Sequence, residues 1–140
     1  MSASNVVRRH PALWRVLAGC WVISGVGVLL GSIDPRFGFP DFFPHFDKVV
    51  HLSAWALLAS FGPLLIEGRR KQMFAALGLV GAGAAIEILQ AFIPSRSASV
   101  MDLAANAVGI AIGTGVGMLV FSGLERWSAL RRARAEQGRR

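Results

Sequence analysis

The chain of 140 residues has a single cysteine and no tyrosine, and only 16% of its residues are charged. One thiol, at Cys20, excludes an intramolecular disulfide and a zinc site made of clustered cysteines. Histidine is also scarce, with three residues. Because the H-x-x-x-H and E-x-x-H spacings of zinc sites do not occur, the sequence predicts no metal site and no cofactor.

Charge is missing above all from four apolar segments, at about 13–33, 49–66, 73–93 and 103–122. Each is close to the roughly 20 residues that cross a bilayer, and none has a polar face to turn to water. The sequence therefore predicts an all-α integral membrane bundle of four transmembrane helices. A soluble bundle with buried helices is the alternative. A cleaved signal peptide fits the first segment less well, because no small-residue cleavage site precedes Asp34.

Basic residues outnumber acidic ones by 15 to 8 and lie mostly outside the apolar segments. Positive charge dominates the N-terminal segment 1–12, the loop at 67–72 and the tail at 123–140, whereas the loop at 34–48 is slightly acidic. The positive-inside rule then predicts that both termini are cytoplasmic. Because the basic tail directly follows a span, we expect it to contact anionic lipid and not nucleic acid. RNA binding by the tail is the alternative.

Polar residues within or beside the apolar segments lie near the ends that this topology brings to the outer membrane surface. We call this set the polar layer. Its members are Asp47, Lys48, His51, Glu87, Gln90, Arg96, Asp102 and Asn106. Spacings of three or four residues place pairs of them on one helix face. Because charges at membrane depth are costly and usually mark function, we expect the polar layer to be the functional site.

Glu87 is the member that topology explains least. It precedes the expected helix end at Ile93 by a distance of about 9 Å along the axis. A carboxylate at that depth takes up a proton or requires a partner. The cations available to it as partners are Lys48, His51 and Arg96, and a protonated Glu87 is the alternative to such a pair.

Four interpretations of the polar layer remain open at this stage. Lys48, His51 and Arg96 could hold an anionic head group, because guanidinium groups match phosphate oxygens. His51, oriented by Asp47, could act as a general base in an intramembrane hydrolase or transferase. An ion pair between Glu87 and Arg96 could be purely structural. The last interpretation, which the missing zinc spacings disfavour, is a metal ion held by His51, Asp47, Glu87 and Asp102. The same four residues are the candidate catalytic residues.

Two local motifs predict how the fourth helix is built. Ser99 and Asp102 match the capping box S-x-x-D, which gives Asp102 a structural role as an alternative to a functional one. Gly109, Gly113 and Gly117 recur every four residues and share one helix face, where small residues let another helix approach closely. We expect this face to pack inside the bundle, with a homo-oligomer formed through the same glycines as the second possibility.

The loop at 34–46 is rich in phenylalanine and proline. Proline disfavours a helix there, and the phenylalanines disfavour a fully solvated loop. The sequence leaves two interpretations open, a lid over the polar layer and an apolar connector that packs on the helix ends.

The polar layer and its neighbours resemble the VanZ-like family of small membrane proteins. The matching elements, in order, are Asp47-Lys48-x-x-His51, Glu87-x-x-Gln90, Pro94-Ser95-Arg96, Asp102-x-x-x-Asn106 and Gly109. Ser95 departs from the family pattern, which often has glycine there. The resemblance implies a multi-pass protein of the bacterial cell envelope, in the cytoplasmic membrane. It also implies a possible link to teicoplanin-type glycopeptide resistance, the phenotype with which the family's namesake is associated.

Overall fold

The computed structural model describes residues 10–34, 36, 40, 42–94 and 98–138. Its helices are α1 (Pro11–Ile33), α2 (Phe46–Ser60), α3 (Gly62–Leu65), α4 (Arg69–Gln90) and α5 (Val100–Gln137). Four stretches are long and apolar enough to cross a membrane, with α2 and α3 together forming the second. The structure thereby confirms the predicted all-α membrane bundle.

The second span is interrupted at Phe61, where α2 gives way to the short helix α3. Pro63 lacks a backbone N–H and cannot continue the hydrogen bonds of α2. Some carbonyls of α3 are satisfied by a side chain that the sequence did not single out. The buried Gln72 donates from Nε2 to the carbonyl of Ile66 at 2.9 Å and to that of Pro63 at 3.4 Å. These two hydrogen bonds of Gln72 connect the start of α4 to the end of the second span.

Helices α2 and α5 run parallel and form the closest-packed pair in the bundle. A β-carbon added at Gly109, Gly113 or Gly117 would overlap the backbone of Leu52, Ala56 or Ser60, respectively. The glycine face predicted from sequence therefore packs inside the chain, against the backbone of α2. Dimerisation through these glycines would require α2 to move away, because α2 already covers them.

The other two long helices pack around this pair. Helix α4 runs antiparallel to α5 and contributes Ile86 to a core that also contains Trp55, Leu58, Ala59 and Ile110. Helix α1 is attached more loosely, and Ser32 is its only buried residue. Its apolar side chains are largely exposed, as expected for a helix that faces lipid.

Helix α5 is longer than a membrane requires. Its 38 residues correspond to about 57 Å, against a hydrocarbon thickness of about 30 Å. The basic tail that follows the predicted span therefore continues as helix as far as Gln137. Within it, the guanidinium of Arg131 lies 4.7 Å from the centre of the Trp127 ring, an arrangement suited to a membrane interface.

Candidate functional site

The helix ends that carry the described members of the polar layer meet at one end of the bundle. Parallel packing puts the N-termini of α2 and α5 side by side, and α4 brings its C-terminus to the same end. Helix α1 joins them at its own C-terminus, through Ser32. Each described member then contacts a neighbour, and the contacts below connect all four spans.

Lys48 links α2 to α5 by an ion pair. Its Nζ lies 2.5 Å from Oδ1 of Asp102 and 2.5 Å from Oδ2 of Asp47. The two carboxylates differ in exposure, since the Asp102 side chain is 11% exposed and the Asp47 side chain is 50% exposed. Asp102 is thus a nearly buried anion whose charge Lys48 compensates, whereas Asp47 is a solvent-accessible second partner.

His51 contacts an amide instead of the expected carboxylate. Its Nδ1 lies 2.9 Å from Oδ1 of Asn106, and no hydrogen bond joins it to Asp47. Because the Asn106 oxygen only accepts, Nδ1 carries the proton in this arrangement and Nε2 of a neutral imidazole has a free lone pair. Asn106 is 1% exposed, so the orienting group is fixed within the bundle.

Glu87 is buried and accepts a hydrogen bond from the start of α5. Its Oε2 lies 3.0 Å from the backbone N–H of Ser99, which is the N-cap residue of α5. The Ser99 side chain accepts from the backbone of Asp102, which confirms one half of the predicted capping box. In a capping box, an acidic side chain of the same helix accepts the backbone N–H of the N-cap residue. Here Glu87 of α4 accepts that N–H, and the Asp102 carboxylate contacts Lys48 instead.

A cation partner for Glu87, one of the two possibilities that the sequence left open, is not found among the described residues, because Lys48 and His51 contact other groups. Its depth also differs from the expectation. Helix α4 ends at Gln90, so Glu87 is only one turn from the helix end. Arg96 lies outside the described residues, and its predicted contact with Glu87 stays a prediction.

Gln90 joins α4 to α1. Its Nε2 donates to the carbonyl oxygen of Ser32 at 2.8 Å, and both residues are buried. The carbonyl belongs to the last turn of α1, where helix carbonyls lack partners within the helix. The sequence placed Gln90 in the polar layer, but nothing in it pointed to Ser32.

Within the described part of the layer, three enclosed polar atoms have no hydrogen-bond partner: Oε1 of Glu87, Oε1 of Gln90 and Nδ2 of Asn106. Asp102 Oδ1 differs from them, because its contact is the ion pair with Lys48. Buried polar groups are nearly always satisfied by protein, water or a ligand. The layer thus offers two acceptors and one donor to a bound group. Among the described residues, no three histidine, cysteine or acidic side chains cluster as metal ligands.

Part of the phenylalanine-rich loop also falls within the described residues. The rings of Phe42 and Phe43 each pack edge-on against Phe46, with centroids 5.1 and 5.0 Å apart. These three side chains cluster at the start of α2. Phe37 and Phe39 lie outside the described residues, so the choice between lid and connector stays open for that half of the loop.

Comparison with known proteins assigns the family. No curated protein and no solved structure matches the chain. The VanZ/LLP1 family matches residues 7–121, a stretch that contains the first three predicted spans, all but the last residue of the fourth, and every member of the polar layer. With the match covering most of the sequence and the bundle having the architecture that the resemblance implied, the chain belongs to the VanZ/LLP1 family.

Proposed function

We propose that this VanZ-like protein binds an anionic lipid, or a lipid-linked envelope precursor, at the polar layer. The site would face the outer leaflet of the bacterial cytoplasmic membrane. One observation carries the proposal, namely the unequal partners of Lys48. Its ammonium is fixed by the nearly buried Asp102 and shared with the half-exposed Asp47.

The inequality makes Asp47 a displaceable partner. An ammonium group has three N–H donors. The contact between Lys48 and Asp102 is costly to break, because it would leave the nearly buried Asp102 carboxylate without a compensating charge. Asp47 can turn to water at little cost because exposed ion pairs contribute about 1 kcal/mol or less. A phosphate oxygen can therefore take its place or use the third donor. Arg96, by its position in the sequence, and His51 would supply further contacts to the same head group.

Removing the competing carboxylate is expected to strengthen binding. Asp47→Asn abolishes one negative charge beside Lys48 while the Lys48–Asp102 pair remains. We expect affinity for phosphatidylglycerol to rise roughly fivefold, corresponding to about 1 kcal/mol for one solvent-screened charge. The measurement is binding of phosphatidylglycerol, with phosphatidylcholine for comparison, to purified protein in nanodiscs. Arg96→Ala is expected to weaken the same binding.

Glu67→Gln is the matched control, since it removes one acidic charge in the loop between α3 and α4, at the opposite end of the bundle. It should leave the affinity unchanged. If Asp47→Asn and the wild type bind phosphatidylglycerol equally, Lys48 is not an anion site and the proposal fails.

Orientation in the membrane is open to direct measurement. In a Cys20→Ser background, single cysteines at Pro40, Lys71 and Gly138 report on the two loops and the C-terminus. A membrane-impermeant maleimide added to intact cells should label Pro40→Cys and spare the other two, because positive charge keeps their segments in the cytoplasm. The reverse pattern would place the polar layer on the cytoplasmic side.

A second candidate function is hydrolysis or transfer on a lipid phosphate or ester. The His51–Asn106 contact favours it, because it fixes the imidazole and leaves Nε2 able to accept a proton. The described residues place no serine or cysteine nucleophile in contact with His51, which is why we rank binding above catalysis. Turnover that vanishes in His51→Ala while lipid binding persists would reverse the ranking.

A third candidate is a structural or partner-binding protein. It is favoured by the contacts themselves, since Lys48–Asp102, Glu87–Ser99 and Gln90–Ser32 hold different spans together. If this candidate is correct, Glu87→Gln reduces the function of the protein in cells only in proportion to the loss of folded protein. A role in teicoplanin resistance is a separate question, to be answered by comparing the susceptibility of cells with and without the gene.

A further inference from the structure

An apolar groove runs along the bundle between α1 and the helices behind it. Its volume is about 270 Å³, and its walls include Trp21 and Gly25 of α1, Trp55 and Leu58 of α2, and Leu79 and Ile86 of α4. The groove exists because α1 contacts the bundle loosely, with Ser32 as its only buried residue. In a membrane, a groove of this composition opens to hydrocarbon and not to water.

The end of the groove nearest the C-termini of α1 and α4 lies beside the polar layer. Ile86 lines the groove, and Gln90 follows it by four residues, on the same face of α4 one turn nearer the helix end. The hydrogen bond from Gln90 to Ser32 crosses from α4 to α1 at that point. The same buried amide carries Oε1, which has no hydrogen-bond donor among the described residues. The apolar groove thus ends about one helical turn below an enclosed, unsatisfied hydrogen-bond acceptor.

This juxtaposition matches the chemistry of a lipid, which joins hydrocarbon to a polar head. We infer that the groove seats one hydrocarbon chain of the bound lipid, and that Gln90 Oε1 accepts a hydrogen bond from a hydroxyl or amide N–H of its head group. The inference rests on the proposed function and adds two features of the ligand. These are a chain that lies between α1 and α4, and a head group that contains a donor as well as an anion.

The dimensions favour a lipid chain over a helix from another protein. The nine residues from Trp21 to Leu29 cover about 12 Å of axis, and a helix with side chains is about 10 Å wide. A helical segment of that length would need about 900 Å³, more than the roughly 620 Å³ of atom-free space along the groove. A single alkyl or prenyl chain is narrow enough to fit, and it covers the apolar walls without leaving a polar group unpaired.

Gly25 and Gly27 offer a matched pair of variants for the test. Gly25 lines the groove, and a β-carbon there meets nothing closer than Leu58 at 3.7 Å, so that Gly25→Leu would fill the space without striking backbone. Gly27 is two residues away on the exposed side of α1, with nothing near it. Both variants make the same chemical change in the same helix, so effects on helix propensity or insertion cancel.

The experiment uses phosphatidylglycerol with a photoactivatable diazirine in one acyl chain, added to the full chain in nanodiscs. We expect cross-links to concentrate on groove residues of α1, α2 and α4 in the wild type. Gly25→Leu should reduce groove cross-linking at least fivefold, and Gly27→Leu should leave it unchanged. Gln90→Met, which keeps the length of the side chain and removes the acceptor Oε1, should weaken capture of phosphatidylglycerol, whose glycerol hydroxyls can donate, more than capture of phosphatidylcholine, whose head group has no donor.

The outcomes separate this inference from the proposed function. Cross-links spread evenly over all lipid-facing helices, with phosphatidylglycerol still bound at Lys48, would overturn the groove and leave the anion site standing. Cross-links in the groove that are identical for phosphatidylglycerol and phosphatidylcholine, and insensitive to Asp47→Asn, would support the groove and refute the anion site. A disulfide that joins two copies of the chain through Gly25→Cys, in the Cys20→Ser background under mild oxidation, would overturn the inference in favour of a dimer.

Discussion

Gly113→Ala is expected to destabilise the bundle more than any other single methyl group added to α5. The new β-carbon would lie 2.7 Å from the carbonyl carbon of Ala56 and would overlap its oxygen. Since the obstacle is backbone, no side-chain rotation relieves it, and α2 and α5 must separate. Overpacking of this kind costs about 1–3 kcal/mol, and we expect the upper part of that range.

Gly115→Ala provides the matched control for this substitution. Gly115 lies on the exposed side of α5, where an added β-carbon meets nothing within 4 Å. That variant should equal the wild type or exceed it slightly, because alanine favours a helix more than glycine does. Denaturation of the purified protein in mixed micelles, followed by tryptophan fluorescence, measures both. Equal stability of the two variants would show that α2 and α5 do not pack through Gly113.

Lys48→Met is expected to have the second large effect. It removes the only described cation in contact with the Asp102 carboxylate, while its own unbranched chain keeps much of the lysine volume. Breaking one side of a buried ion pair typically costs about 3–5 kcal/mol, because an uncompensated charge remains in a place of low polarity. We expect about 3 kcal/mol here, because the Lys48 side chain is 22% exposed and some water reaches the site.

The variant Lys48→Met/Asp102→Asn distinguishes loss of charge balance from loss of shape. It removes both charges together, so it should recover most of the stability lost in Lys48→Met. The same micelle denaturation, performed on the wild type, the two single variants and the double variant, gives the coupling free energy directly. A double variant as unstable as Lys48→Met would mean that the aliphatic stem of Lys48, and not its charge, holds α2 to α5.

These two predictions concern different halves of one interface. The glycine face sets how closely α2 approaches α5, and the Lys48–Asp102 and His51–Asn106 contacts at the same interface depend on that approach. A variant that forces the helices apart should therefore weaken lipid binding as well as folding. Asp47→Asn avoids this coupling because Asp47 is half exposed and the Lys48–Asp102 contact does not require it.

Hydropathy and spacing predicted the parts of this protein that depend on local chemistry. The four apolar segments became helices with ends within a few residues of the predictions, apart from the helical tail, because a buried backbone in hydrocarbon must satisfy its own hydrogen bonds. Gly109, Gly113 and Gly117 were predicted to share a packing face, which follows from helix periodicity alone. Ser99 was predicted to cap α5, since an N-cap serine bonds within its own first turn.

The sequence did not predict which side chains of different helices contact each other. Spacing favoured Asp47 as the partner of His51, yet Asn106 reaches the ring. For Glu87 the sequence indicated either a cation partner or protonation, and it did not point to the Ser99 N–H that Glu87 accepts. Spacing fixes which residues share a face of one helix, but not how that helix is rotated and shifted against its neighbours.

The sequence by itself therefore determined a four-span membrane bundle with the ionisable residues of its polar layer at one end, because hydrocarbon tolerates few charges. Only the tertiary structure decided which of those residues touch. The close parallel packing of α2 on α5 aligns Lys48 with Asp102 and His51 with Asn106. Helix α1 packs more loosely and leaves the groove beside Gln90. Packing distances of this kind depend on side chains from several helices at once, so no local sequence pattern predicts them.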